Sequence, residues 1–354
     1  MEATLEGSLI ERCVVIVLNW NGLNDTRKCV DSLLVQTPQA PEIWIVDNGS
    51  EAQEYERLVE LYGSKQNVAI IKNEQNLGFA KAHNRVLDRP LPEDLRWIAC
   101  LNNDAVAEPE WLINLVKCAE SEECHMVSSK MLQMTNPDRI DNIGHSLLST
   151  GEILPLGFGE LASKFTSSIQ NIGPCAGACL YHRDLFEKLN GFDERFFVGY
   201  EDAELGLRAW LCGYNCVLEP KAIVYHKMGA SLNEVRSSLY LAEIQSHVFY
   251  TWFKLMPRII IIRQAPSMIF KYSMVILIDV VFFRYKFLKV MLLAINTAIR
   301  ERKTTWISRR MFYASNQISR SNSEIIKILT PFLRFDAHRF WQFVVLGRKS
   351  NLEA

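Results

Sequence analysis

The residues best suited to chemistry sit where apolar runs stop. Trp97 to Leu101 is apolar, Asn102-Asn103-Asp104 follows, and a helical pattern resumes after Pro109. Asn and Asp are good turn formers, which alone would end a strand there. A lone carboxylate at the end of a central strand is also a ligand for a hard divalent cation. Two other runs end alike: "CVVIVLNWNG" (13–22) on Asn19, Trp20 and Asn21, and "EIWIVDNGS" (42–50) on Asp47-Asn48-Gly49-Ser50. The pairs Cys175/Cys179 and Cys212/Cys216 invite a zinc reading. Three residues separate each pair and neither lies in a Gly-rich knuckle, so small buried side chains are the preferred role.

The elements that position these residues follow from hydropathy. Apolar runs at 13–19, 42–47, 67–73 and 97–101 alternate with helical spacings at 24–37, from about 51 to Tyr62, and at 77–88, entered through Gly78. Strand and helix in alternation predict an open, mostly parallel α/β sheet with flanking helices. Ligands of such sheets collect beyond the carboxyl ends of the strands, so the three polar clusters should face one crevice. Neither GxGxxG nor GxxxxGK[ST] is present, which removes the usual dinucleotide and P-loop readings. Residues 125–182 read as loops and short strands. "EDAELGLRAWLCGY" predicts a helix ending near Gly213, and "AIVYH" (222–226) one more strand.

At 354 residues the chain has room for two domains. Its net charge of −1 conceals an asymmetry: residues 1–253 hold 21 Lys and Arg against 35 Asp and Glu, and residues 254–349 hold 18 against 4. Nine cysteines, an odd number, and the acidic opening "MEATLEGSLIERC" suit reduced thiols in the cytosol.

Taken together, "VVIVLNWNG", "IVDNGS", "NLGFAKAHN", "LNNDA", "CAGACLYHRDLFEKLNGFDERFF" and "YEDAELGLRAWLCGY…AIVYH" resemble the family 2 glycosyltransferases, in particular the rhamnosyltransferase-like branch of bacterial cell-surface polysaccharide synthesis. The resemblance covers roughly residues 12–232, and its strength is six motifs in the right order. It implies a GT-A (Rossmann-like) fold and inverting transfer of a sugar from a nucleotide-sugar, dTDP- or UDP-linked, to a glycan or lipid-linked glycan acceptor. It also implies Mg²⁺ or Mn²⁺, because a bridging cation neutralises the diphosphate leaving group.

The resemblance assigns roles residue by residue. Asp104 is the metal ligand, and the family's Asp-X-Asp stands here as Asn102-Asn103-Asp104, with Asn102 and Asn103 left to donor contacts. His226, closing "AIVYH", falls where the family offers a second ligand. Asp47 reads the nucleobase, Asn19 and Asn21 line the nucleoside pocket with Trp20 available to stack, and Asn84 faces the donor. The family's Arg before that Asn is His83 here. Asp202 is the general base of the Glu201-Asp202 pair. Successive helical residues lie about 100° apart, so one of the two faces the cleft while the other caps the helix or pairs with Arg208. Asp193 reads as a bracing turn residue. A sugar nucleotidylyltransferase would need a Gly-rich basic loop that "LNWNGLNDTRK" is not, and a non-catalytic scaffold of a polysaccharide assembly complex remains the alternative.

These roles divide the chain into a transferase domain, 1–252, and a basic helical region, 253–354. The donor half of the former is 12–120 and the acceptor and catalytic half 121–252. Beyond Trp252 apolar stretches are broken every few residues by Lys or Arg, and the longest uncharged run, Tyr272 to Ile278, is short of a bilayer span. The expectation is a set of helices lying on the membrane surface across 253–349, with no nucleic acid bound, in a cytoplasmic protein held at the inner face of the cell membrane.

Overall fold

The computed structural model describes residues 2–89, 91–227 and 238–332. They fall into two compact units, the first built from 1–145 and 155–236, the second from 146–154 and 237–354. The anticipated boundary at 252/253 lies inside the helix Ser238–Leu255. The jump in basic charge marks composition; packing separates the chain some fifteen residues earlier and takes one hairpin from the middle of the sequence.

The first unit is a mixed sheet with helices on both faces. In chain order its strands are β1 (Cys13–Asn19), β2 (Glu42–Asn48), β3 (Val68–Asn73), β4 (Trp97–Leu101), β5 (Ala105–Ala107), β6 (Met126–Gln133) and β7 (Asn136–Asn142). β8 (His145–Leu148) and β9 (Ile153–Pro155) form the hairpin shared out to the second unit, and β10 (Gln170–Asn171), β11 (Ala178–His182) and β12 (Cys216–His226) complete the set. The order is β10-β12-β6-β11-β4-β1-β2-β3, with β5 added to β12 and β7 to β6. β3, β2, β1 and β4 run parallel, as the alternating pattern predicted. β4 is buried on both faces, and so is all of β1 but one position, which is why their sequences are unbroken apolar runs.

Two strands depart from the sequence expectation. β6, "MVSSKMLQ", occupies the middle of the sheet although its residues read as irregular. Its polar side chains are buried with partners: Ser129 accepts from Trp111 Nε1 at 2.8 Å, and Lys130 Nζ donates to Phe165 O at 2.9 Å. β12 begins six residues before the predicted strand, because the interruption at Pro220 is a register shift between Glu219 and Ile223. Gly78 does open the helix Phe79–Asn84, at φ +78°, where a Cβ would lie 2.3 Å from Phe197 O. All nine cysteines are free thiols, seven of them buried.

The second unit consists of the helices Ser238–Leu255, Arg258–Val281, Tyr285–Arg300, Arg302–Ser315 and Asn322–Ile328. A small sheet joins β13 (Leu329–Thr330) to β8 and β9. Glu152, in the hairpin, accepts from Lys271 Nζ at 2.8 Å and from the Tyr272 hydroxyl at 2.9 Å. Against the expectation drawn from uncharged runs, Arg258–Val281 is long and apolar enough to cross a membrane, with a mean hydropathy of 1.3 over 18 residues. The count of uncharged residues missed it because Lys271 interrupts the run without lowering the average much. The stretch 333–349 of the anticipated membrane region lies outside the described residues.

Candidate active site

Asp104 leaves β4 through a tight turn and meets the last residue of β12. Its Oδ1 is 3.1 Å from His226 Nε2, and His226 Nδ1 is 2.7 Å from Asp141 Oδ2 on β7. β5, pairing with β12, aligns Ala105 with His226 and so fixes the approach. Burial would lower the pKa of His226, but its hydrogen bonds and charge interactions with Asp104 and Asp141 outweigh this and raise it to about 10. For Asp104 burial pushes the pKa up, and the His226 hydrogen bond and charge reverse that to leave it lowered. The imidazolium is therefore a clamp between two carboxylates. Asn102 Nδ2 lies 3.5 Å from the same Nε2.

Among the described residues no three His, Cys, Asp or Glu side chains are disposed to hold a metal by themselves. Asp104 and His226 nonetheless fit a divalent cation, which would take the place of the proton on Nε2, since a ligating imidazole must be neutral there. Two ligands about 2.1 Å from a cation and at right angles to each other sit about 3 Å apart. A carboxylate behind the ligating imidazole, here Asp141, is the usual orienting partner. Magnesium and its relatives take only one or two protein ligands where phosphates complete the sphere.

The ends of β1 and β2 form one buried network. Asn19 is aligned with Asp47. Its Nδ2 donates to Asp47 Oδ1 at 2.9 Å and to Ser50 Oγ at 3.2 Å, and its Oδ1 accepts from Thr26 at 2.7 Å. Asn103 Nδ2 donates to the same Thr26 hydroxyl at 3.0 Å, which ties the β4 terminus to the β1 terminus. Asp47 also closes its own turn, accepting from Ser50 N at 3.2 Å. Asn21, at φ +49°, accepts from Glu51 N through its side chain. Trp20 is 52% exposed and takes no part in the core.

Glu201 and Asp202 open the helix Glu201–Leu211 and point apart. Glu201 is buried, its Oε2 lacks a hydrogen-bond partner, and burial together with the Asp202 charge raises its pKa to about 8. Asp202 is less buried, its side chain 15% exposed, and its Oδ1 accepts from Ala203 N at 2.7 Å. Its Oδ2 accepts from Ala176 N at 3.0 Å and stands 3.8 Å from His145 Nε2. The next residue, Gly177, accepts from Asn102 N at 2.9 Å. One dipeptide, Ala176-Gly177, thus touches both the Glu-Asp pair and the Asn-Asn-Asp turn.

Arg208 does not pair with Glu201 or Asp202. It binds Glu204 one helical turn away, with Nη2 2.8 Å from Oε2, because i and i+4 share a face and i and i+7 are too far for the same reach. Its other donors hold Leu189 O and Gly191 O. Asn84 also departs from its expected place. Its amide is taken up by the main chain of Phe192, donating to O at 2.8 Å and accepting from N at 2.9 Å. Asn84 and Arg208 thus fasten the turn 189–192 that leads into the Glu-Asp pair. Asp193 caps its own turn by accepting from Arg195 N. His83 is buried and stacked on Phe79 at 4.0 Å, and burial lowers its pKa to about 4, so it carries no charge to a phosphate. Asp141 and His145 were not singled out from sequence. Both lie in "RIDNIGHSL", where only the short acid-to-His spacing hinted at them.

A parallel sheet extended by an antiparallel strand, with an acidic turn after β4 and a carboxylate pair on a later helix, defines the GT-A class. A solved structure of GalNAc-T7 with UDP, GalNAc and Mn²⁺ superposes with a TM-score of 0.53 at 16% identity, over 68% of this chain and 50% of that one. Residues 14–189, about half of the chain, match the family described as Glycosyl transferase family 2, and the protein belongs to that family. Curated relatives include the O-antigen biosynthesis protein RfbC of Myxococcus xanthus, 31% identical over 58% of this chain. Another is the N-acetylglucosaminyl-diphospho-decaprenol L-rhamnosyltransferase of Mycobacterium tuberculosis, 25% identical over 62% of this chain. The chain spans 16% of the length of the former and 77% of the latter.

Proposed function

We propose that the protein is an inverting glycosyltransferase that moves a sugar, rhamnose being the first candidate, from a dTDP- or UDP-sugar to a glycan or lipid-linked glycan. The observation that carries this reading is the Ala176-Gly177 bridge, which links the partly exposed Asp202 carboxylate to the turn suited to a diphosphate. Asp202 takes the proton of the acceptor hydroxyl as that oxygen bonds the anomeric carbon and the bond to the diphosphate oxygen breaks on the opposite face. Asp104 and His226 would hold Mg²⁺ or Mn²⁺, which supplies charge neutralisation for the leaving diphosphate. Asn102 and Asn103 contact phosphate or ribose. Asn19 and Asp47 form the floor of the nucleoside pocket, Asp47 reading the base in exchange for its Ser50 contact, with Asn21 and the exposed Trp20 at the rim. Glu201, buried and protonated at neutral pH, keeps a second negative charge away from the base.

The rhamnosyltransferase relative, named for a decaprenol-linked acceptor, supports a lipid-linked glycan here and with it attachment at the cytoplasmic face of the membrane through the basic helices. Calorimetric titration of UDP and dTDP, with and without Mn²⁺, tests the donor site. Binding of one nucleotide that needs Mn²⁺ and is lost in Asp104→Ala is the expected result. Absence of binding by folded protein would overturn the assignment.

A further inference from the structure

The second unit carries a corner that the transferase reading does not use. The helix Arg258–Val281 ends and Tyr285–Arg300 begins within four residues, and every residue from 281 to 287 is exposed. Five of those seven are apolar or aromatic: Val281, Phe282, Phe283, Tyr285 and Phe287. Phe282 and Phe283 are 60% and 72% exposed. Phe283 adopts φ +53°, a region that bulky residues avoid, and so the turn holds an aromatic ring outward at a conformational cost.

The surroundings identify what meets these rings. Arg284 stacks over Phe287 at 4.6 Å, and Lys286 and Lys289 are exposed beside it. The one acid close by, Asp279, is buried and 3.5 Å from Arg284. Across 254–332 there are 14 Lys and Arg against three acids. Ile262, Ile269 and Leu277 continue the apolar surface along one stripe of the preceding helix. The buried side of that helix carries polar groups beside Ile260 and Met268: Lys271 and Tyr272, near its midpoint, are bound to Glu152. A helix tied at its centre to a buried glutamate on one side, with exposed Ile262, Ile269 and Leu277 beside Arg263 on the other, suits a position in the plane of an interface better than a crossing.

We propose that the corner 281–287 is an insertion wedge for an anionic phospholipid bilayer, its phenylalanines entering the acyl boundary while Arg284 and Lys286 meet headgroup phosphates. The proposal rests on the membrane attachment inferred above and names the surface that makes it.

Co-sedimentation of the full chain with phosphatidylcholine vesicles, with and without phosphatidylglycerol, provides the test. Wild type should bind the anionic vesicles and scarcely the neutral ones. Replacing both rings, Phe282→Ser with Phe283→Ser, should weaken that binding about tenfold or more. Nucleotide binding and circular dichroism serve as the controls for folding. In a Phe283→Trp variant, brominated acyl chains should quench the added emission. Undiminished binding by the double variant, with no quenching, would overturn the wedge and leave membrane attachment standing. Failure of wild type to bind either vesicle would overturn both. Self-association of wild type in sedimentation velocity that the double variant loses, with vesicle binding unchanged, would make the corner a contact between copies and overturn the wedge.

Discussion

Asp104, in the turn after β4, and His226, at the end of β12, reach each other Oδ1 to Nε2 at 3.1 Å, and Asp141 holds the far nitrogen of the same ring at 2.7 Å. The separation that makes an ion pair in the protein alone also suits two ligands on one cation, so the carboxylate behind the ring decides how well Nε2 is aimed. Asp141→Asn should therefore weaken Mn²⁺-dependent nucleotide binding about 10- to 100-fold while leaving the cleft intact. Calorimetry on the two proteins checks this; equal Mn²⁺ dependence would remove Asp141 from the site.

Asp202 is partly exposed and takes backbone donors at Ala176 and Ala203, the arrangement of a base held in place before its substrate arrives. Asp202→Asn keeps the shape and loses the proton acceptor. Turnover should fall by roughly 10²–10⁴, with nucleotide affinity unchanged. Steady-state rates alongside nucleotide titration separate an enzyme from a scaffold, for which neither quantity would move.

The strands that carry the site were legible because β1, β2 and β4 are unbroken apolar runs ending on polar residues, a pattern that needs no knowledge of partners. β6 was not, since Ser129 and Lys130 look like loop residues until Trp111 and Phe165 are seen to satisfy them. Asp141 and His145 failed for the same reason: each matters through a side chain more than 50 positions away. The pairing of Arg208 was within reach of spacing alone, as Glu204 stands four residues before it and Glu201 seven. Asn84 was not, because only the folded chain brings Phe192 to its amide.

Glu201 should leave a mark on stability against pH. Its folded pKa, about 8, lies above the ordinary carboxyl value because of burial and the neighbouring Asp202. The folded state therefore keeps a proton that the unfolded chain has released. The stability it contributes is fully present below the ordinary carboxyl pKa, declines as pH rises toward about 8, and is lost above that. Urea midpoints between pH 5 and 9 should show this decline in wild type and a flatter course in Glu201→Gln; parallel curves would place the titrating group elsewhere.

Arg208 and Glu204 form the most deeply buried ion pair of the first unit's described residues, and the guanidinium also holds the carbonyls of Leu189 and Gly191. Removing one partner strands the other. Arg208→Ala should cost about 3–5 kcal/mol, since Glu204 is fully buried and would lose its counter-charge. Replacing both, Arg208→Met with Glu204→Gln, removes the charges together and should cost clearly less than the single change. Urea unfolding of the two variants reads this directly. Both should also slow turnover, because the freed turn 189–192 no longer fixes the approach to Glu201 and Asp202. If the double variant proved the less stable of the two, the pair would be a net source of stability instead of a device that holds the turn.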